Sequence, residues 1–335
     1  MSFDNLNGIK TKKFNLGIFI LFTFLALMFA ILIPGPGLIG VALLPIPVSL
    51  LIIAGRIKEG IICAAASRLI LLLFSYILAL VAIVFIVSVA FSQRYAVEKK
   101  WPAGKMILTV FLIFLGAACL YVLLLFAIYG PAFFTETAEV YNGYIEDIRN
   151  DPFISNYASL MRVDRSQLDT AISQTQALLK FMPKILPGMF IVSFSIISLV
   201  NYLFSFMIFK RYRIEIKPFK SFIEWDLSWY FVWGVIIGLV LVLIPNMGSS
   251  IDGGTGTMNI AADILGYNLI IIFGMLYMVL GISVLWGIFE RLKTGFLIRV
   301  AVVIFLLFFF GFGLIIFPAL GLIDVWANFR KLKRN

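Results

Sequence analysis

Histidine is absent from all 335 residues. That removes the side chain most often used as a general base or metal ligand near neutral pH, and with it every Ser-His or Cys-His nucleophile pair. Cysteine is almost absent too. Cys63 and Cys119 both lie in apolar runs, at a spacing that suits neither a metal site nor a disulfide framework, and they read as small lipid- or core-facing side chains. Charge is scarce, at 13% of residues against 62% hydrophobic, with a mean hydropathy of +1.06. Soluble domains carry about 25% charged residues, so a water-soluble core is excluded and a polytopic membrane protein is implied. A phosphate-cradling loop is missing as well: Gly253-Gly254-Thr255-Gly256-Thr257 has glycines without the Lys-Ser/Thr that should follow. No catalytic residue, cofactor or metal ligand set is expected, and the chain is not read as an enzyme.

Acids are fewer than bases, 17 against 27, for a net charge of +10. In a soluble protein this would suggest nucleic acid. Here Lys and Arg fall in short clusters between apolar runs, as cytoplasmic loops do, so the expected partner is the lipid bilayer and nucleic acid is discounted. Runs long enough to cross about 30 Å of hydrocarbon occur near 14–33, 38–55, 61–91, 106–129, 185–209, 229–244, 267–289 and 296–327. The first follows Lys10, Lys12 and Lys13 but is longer than a signal-peptide core of roughly 7–15 residues, so it reads as a retained helix.

Hydropathy alone counts eight spans, and charge argues for ten. A single crossing through 61–91 would place Arg94, Lys99, Lys100 and Lys105 opposite Arg56 and Lys58. Two short passes turning near Phe74-Ser75-Tyr76 keep these clusters on one side. The same reasoning makes 296–327 a hairpin turning near Gly311-Phe312-Gly313, with both termini cytoplasmic. The two hairpins are introduced alike, by Arg56-Ile57-Lys58-Glu59-Gly60 and Arg291-Leu292-Lys293-Thr294-Gly295, with Arg68 and Arg299 shortly inside. This is either a faint internal repeat or the common look of basic turns.

The expected fold is an all-α polytopic transmembrane helical bundle of 8–10 spans in the cell (cytoplasmic) membrane, with an extracytoplasmic helical insertion. N-terminal membrane helices take 1–129, the outer segment 130–184, and C-terminal membrane helices 185–335. Within the outer segment, Tyr141, Ile145 and Ile148, then Leu168, Ile172, Leu179 and Met182, recur at helical spacing. They predict two amphipathic helices, with re-entry marked by Pro183 and Pro187. A glycine-rich outer loop is expected over Asn246–Gly266.

Polar positions inside apolar runs are the candidate functional or structural sites. Pro45 and Pro47 each remove an N–H from a helix, so neighbouring groups must take up the freed carbonyls. Arg56 marks the charged turn that follows. Arg68, about 10 Å into its run by helical rise, is either an intramembrane site or a side chain that snorkels to the headgroups. Asn201 is interhelical glue or a ligand contact. Asp324 is expected to pair with Arg68 or Arg330, because an unpaired carboxylate in an apolar setting tends to lose its charge. Gly234-Val235-Ile236-Ile237-Gly238 permits close helix approach, though such matches arise often by chance.

Several stretches together resemble the YybS-like family of bacterial multi-pass membrane proteins. They are Leu44-Pro45-Ile46-Pro47 with Gly55-Arg56 and Gly60, Lys99-Lys100-Trp101-Pro102-Ala103-Gly104-Lys105, Leu186-Pro187 and Asn201-Tyr202-Leu203. The likeness continues in Phe222-Ile223-Glu224-Trp225, Val232-Trp233-Gly234, Leu320 to Trp326 and Asn328-Phe329-Arg330-Lys331. The Pro45–Gly60 part is similar, more distantly, to the substrate-capture subunits of energy-coupling-factor vitamin transporters. That resemblance implies a helical bundle that binds a small solute near the outer face and relies on separate membrane and ATPase subunits. The leading expectation is a solute-binding or transport-related protein, with an outward pocket bounded by 34–47, Asn201 and the outer loops. The alternative is an envelope-assembly scaffold that docks envelope-assembly proteins. A membrane enzyme ranks third, since Glu136, Glu139, Glu146 and Asp147 read as a solvated helix face.

Overall fold

The computed structural model describes residues 15–33, 35–130, 143, 165–248, 257–308 and 310–331. Among these the regular elements are helices, with no strand, as the all-α reading expects. They form two units, Met1–Gln176 with Ser193–Phe219, and Ala177–Val192 with Lys220–Asn335.

In the first unit, α1 (Leu16–Leu32) begins where the Asn15 side chain accepts the Gly17 N–H at 3.0 Å, a cap for a donor the helix leaves open. It ends at Ile33, extended at φ −119° and ψ 93°, because a following proline disfavours helical backbone. α2 (Gly37–Leu43) doubles back along α1: a Cβ on Gly37 or Gly40 would lie 2.7 or 2.5 Å from the carbonyl oxygens of Ala30 and Ala26. α3 (Pro45–Ile53) continues α2 through Leu44, which keeps helical dihedrals. Pro45 and Pro47 fall in the first turn of α3, where N–H groups have no partner within their own helix. The helix ladder accordingly breaks at Leu44 and restarts at the prolines, where their missing N–H groups are expected to interrupt it. All nine residues of α3 are buried, and α3 is the core about which the unit packs.

The 61–91 run is broken where expected but unevenly. α4 (Ile57–Ala66) is ten residues, about 15 Å, and a 3-10 turn (Leu69–Leu73) follows it. α5 (Tyr76–Glu98), capped by Ser75, has 23 residues, about 35 Å, and is long enough to cross by itself. Two equal short crossings do not form. α5 nevertheless returns to the end it left, since Arg94 Nη1 donates to the Ile52 carbonyl at the close of α3, at 3.3 Å. α6 (Ala103–Tyr129) and the last part of α7 (Arg165–Arg211) complete the unit, joined to α5 through Phe85–Phe114 and Phe114–Phe194 ring contacts at 4.3 and 5.7 Å.

α7 has 47 residues, about 70 Å by helical rise. It continues as one helix across residue 184, so the second expected outer helix is the opening of a membrane helix whose apolar part starts at Phe181. The first expected outer helix lies outside the described residues.

In the second unit, α8 (Val232–Gly248) and α9 (Thr257–Arg291) take up most of the expected 246–266 loop; residues 249–256 lie outside the described residues. The Gly234/Gly238 spacing is a true close approach. A Cβ on Gly238 would lie 3.0 Å from Ile270, and one on Gly266 would lie 2.9 Å from the Gly238 carbonyl. α10 (Phe296–Phe308) and α11 (Phe310–Ala327) form the expected hairpin, with Gly311-Phe312-Gly313 inside α11 rather than in the turn. A Cβ on Gly313 would collide with the Leu306 carbonyl, whereas seven residues of continuous helix would hold the two about 10 Å apart. Arg291 Nη1 donates to the Phe329 carbonyl, so both ends of the hairpin meet. α11 then crosses α9 with backbones nearly touching, a Cβ on Gly281 or Gly321 colliding with the Phe317 or Tyr277 carbonyl.

The basic turns share one construction. Left-handed backbone at Gly55, Lys100, Arg213 and Lys293 (φ 83°, 51°, 61° and 52°) closes each preceding helix with a long hydrogen bond. These run from Arg56 N to Leu51 O, Trp101 N to Ala96 O, Ile214 N to Phe209 O and Thr294 N to Phe289 O. This six-to-one closure satisfies carbonyls that would be orphaned, and cations there face the negative end of the helix dipole. The resemblance between the two hairpins stops at the turn: Arg299 lies 3.4 Å from Glu290, whereas Arg68 pairs with no acid among the described residues.

Candidate functional site

The buried polar side chains of the first unit gather on α1 and α3–α5 and on the end of α7. Ser49, Ser67, Arg68, Gln93, Ser198, Asn201 and Ser205 are each at most 1% exposed. In a chain this apolar, each must find a partner inside the protein. Asn201 does so twice: its Nδ2 donates to the Ala42 carbonyl at 2.7 Å, in the turn just before Pro45, and its Oδ1 accepts Gln93 Nε2 at 2.8 Å. Gln93 Nε2 also donates to Ser205 at 3.1 Å. A neighbouring helix thus meets the backbone beside the prolines, as the sequence requires, and Asn201 is interhelical glue. Gln93 Oε1 is buried with no partner.

Arg68 closes α4. Its Nη1 donates to the Ala64 carbonyl at 3.4 Å and to Ser67 Oγ, while Nε and Nη2 are buried without partners. At 1% exposure it does not snorkel, and that expectation is corrected. The side chain turns back along its own helix, and Cys63, one turn earlier, lies against Thr23 of α1 at 3.6 Å. Arg56 is different in kind, a half-exposed turn residue whose Nε donates to Glu59 at 2.6 Å. Exposed pairs of this type contribute about 0–1 kcal/mol.

In the second unit the expected charge pair forms with Arg330. Its Nε and Nη2 reach Asp324 Oδ2 at 3.1 and 2.8 Å, with both side chains at most 1% exposed. Arg68 is not the partner, its hydrogen bonds being local to α4. Arg330 does more than pair. Its Nη1 donates to the Ile223 and Trp225 carbonyls at 2.7 and 2.6 Å and to Ser283 Oγ at 2.9 Å, and Ser283 donates to the Phe222 carbonyl at 2.5 Å. One guanidinium therefore ties the loop before α8 to α9 and α11.

Asn268 was not singled out from the sequence. In an uninterrupted helix the Gly188 N–H donates to the Lys184 carbonyl. Here Gly188 N–H donates to Asn268 Oδ1 and Asn268 Nδ2 donates to the Lys184 carbonyl at 2.7 Å. The amide bridges the donor and acceptor beside Pro187, a known way of kinking a helix. Glycine at 188 is what admits it, since a Cβ would lie 2.7 Å from Oδ1. The signal was a polar residue in an apolar stretch, the criterion that found Asn201. The run drawn from residue 267 put Asn268 at its edge, whereas α9 begins at Thr257 and places it three turns inside.

The arrangement brings Asn201 to the Pro34–Pro47 region and Asp324 to Arg330, and it leaves Arg68 and Arg56 with local partners. The outer loops that would bound a pocket lie largely outside the described residues. No curated protein and no solved structure matches this chain, so its likeness to energy-coupling-factor subunits gains nothing from them. A family model described as Predicted membrane protein (DUF2232) matches residues 20–325. With helices long and apolar enough to cross a bilayer at Tyr76–Glu98, Ala103–Tyr129, Phe181–Arg211 and Ile260–Arg291, and a family match over most of its length, the chain belongs to the DUF2232 family of integral membrane proteins.

Proposed function

We propose that this protein binds a small solute as part of a transport process, in the manner of a substrate-capture subunit working with separate membrane and ATPase subunits. The observation that carries the reading is the cluster of Gln93, Asn201 and Ser205, which keeps one acceptor, Gln93 Oε1, buried and unused. Interiors built for packing alone close their polar groups, because each open one costs about 1–3 kcal/mol. A solute donor that meets Oε1 recovers that cost.

The test is native mass spectrometry of protein released gently from its own membrane, beside the Gln93→Leu variant. A retained small molecule in the parent and its loss in the variant are the expected results, and co-purifying ATPase subunits would strengthen them. Retention of envelope-assembly proteins with no small molecule would overturn the reading in favour of a scaffold.

The proposed orientation places both termini and the basic turns at 92–105 and 210–228 in the cytoplasm, supported by the positive-inside rule and by the return of α5 to the end of α3. A single cysteine at Lys99, in a Cys63→Ala, Cys119→Ala background, is expected to resist an impermeant thiol reagent added to intact cells. Labelling from outside would reverse the orientation.

A further inference from the structure

Among the described residues two arginines are buried almost completely, and they differ in one respect. Arg330 presents its Nε–Nη2 edge to a carboxylate oxygen at 3.1 and 2.8 Å. Arg68, 1% exposed, has the same edge buried without a hydrogen-bond partner. That edge carries two parallel N–H groups in the fork geometry that suits carboxylate and phosphate. A guanidinium stays charged in proteins, so Arg68 cannot relieve its burial by losing a proton. An unpaired buried ion is strongly unfavourable, whereas one met by an anion with good geometry is tolerated. Nη1 is already fixed by Ala64 O and Ser67 Oγ, and Ser67 is itself held by donating to the Cys63 carbonyl at 2.7 Å. The open edge therefore belongs to an oriented side chain.

We propose that Arg68 is an oxyanion site: its Nε–Nη2 edge takes a carboxylate or phosphate group from outside the chain, carried by a water-soluble solute or by an anionic lipid headgroup. The site deepens the solute-binding reading if the anion is soluble and stands without that reading if the anion is lipid. Arg68 follows the C-terminus of α4, so the helix dipole favours the cation while it waits for its anion.

The experiment measures thermal unfolding of the full chain in nanodiscs at matched ionic strength set with chloride. One series titrates inorganic phosphate or succinate into phosphatidylcholine discs; the other replaces phosphatidylcholine with phosphatidylglycerol. The variants are Arg68→Met, which keeps the bulk without the charge, and Arg68→Lys, which keeps the charge without the fork. The parent is expected to gain roughly 5 °C at a hundredfold excess over Kd in one of the two series. Arg68→Lys should lose most of that gain and Arg68→Met all of it.

A gain with phosphate or succinate identifies a soluble anion. A gain with phosphatidylglycerol alone upholds the site and removes its support for solute binding. The same gain in Arg68→Met, or no gain in the parent in either series, overturns the site. Should Arg68→Met fail to fold, the parent titrations and Arg68→Lys decide the question.

Discussion

Arg330→Ala is expected to destabilise the protein by about 3–5 kcal/mol, the usual cost of removing one member of a buried ion pair. Asp324, at 0% exposure, would lose its arginine, and the Ile223 and Trp225 carbonyls would lose their Nη1 donor. Asp324→Ala should cost a similar amount, because it leaves the Arg330 guanidinium with only Asp226, at 3.9 Å and part-exposed, as a counter-charge. Thermal unfolding of both single variants and the double in detergent gives the coupling, expected to fall at the upper end of the 0.5–3 kcal/mol range for contacting residues. The Asp324→Ala, Arg68→Ala double serves as the reference, with losses expected to add. Additive losses in the Arg330 double would mean that the pair contributes nothing and that the arginine acts through the carbonyls alone.

Asn268→Leu is expected to be nearly as costly. It removes the acceptor of the buried Gly188 N–H and the donor to the Lys184 carbonyl. Two backbone groups left open at about 1–3 kcal/mol each predict a loss of roughly 2–6 kcal/mol. Asn268→Asp should recover part of it, since a carboxylate still accepts from Gly188 but no longer donates to Lys184. Hydrogen exchange at the Gly188 amide offers a local readout. Faster exchange in Asn268→Leu is expected, and unchanged exchange with unchanged stability would show that α7 closes its own ladder without the bridge.

These two clusters show what was legible in the sequence. Asp324 and Arg330 lie six positions apart, so pairing was open to inspection, and only the choice between Arg68 and Arg330 needed coordinates. The carbonyls that Arg330 also holds lie more than a hundred residues earlier, and nothing local in Phe222-Ile223-Glu224-Trp225 announces them. Asn201 was readable as glue because an amide in mid-span has few alternatives. Gln93 was hidden because it follows the apolar run and resembles a loop residue, although α5 carries on to Glu98. Breaks in the long apolar runs were inferred correctly from charge placement. Their unequal halves were not, because hydropathy is blind to the early end of one helix at Ala66 and to the other's continuation past the apolar run to Glu98.

The Arg330 clamp also sets an order on biosynthesis. Arg330 is translated 107 residues after Ile223, and at roughly 5–20 residues per second the Ile223 and Trp225 carbonyls exist for about 5–20 s before their donor does. During that interval water can stand in for the missing guanidinium, whereas hydrocarbon offers no such substitute. The loop therefore keeps to the aqueous boundary while α8 to α11 insert, and Arg330 replaces water at its carbonyls only after the final helix is made.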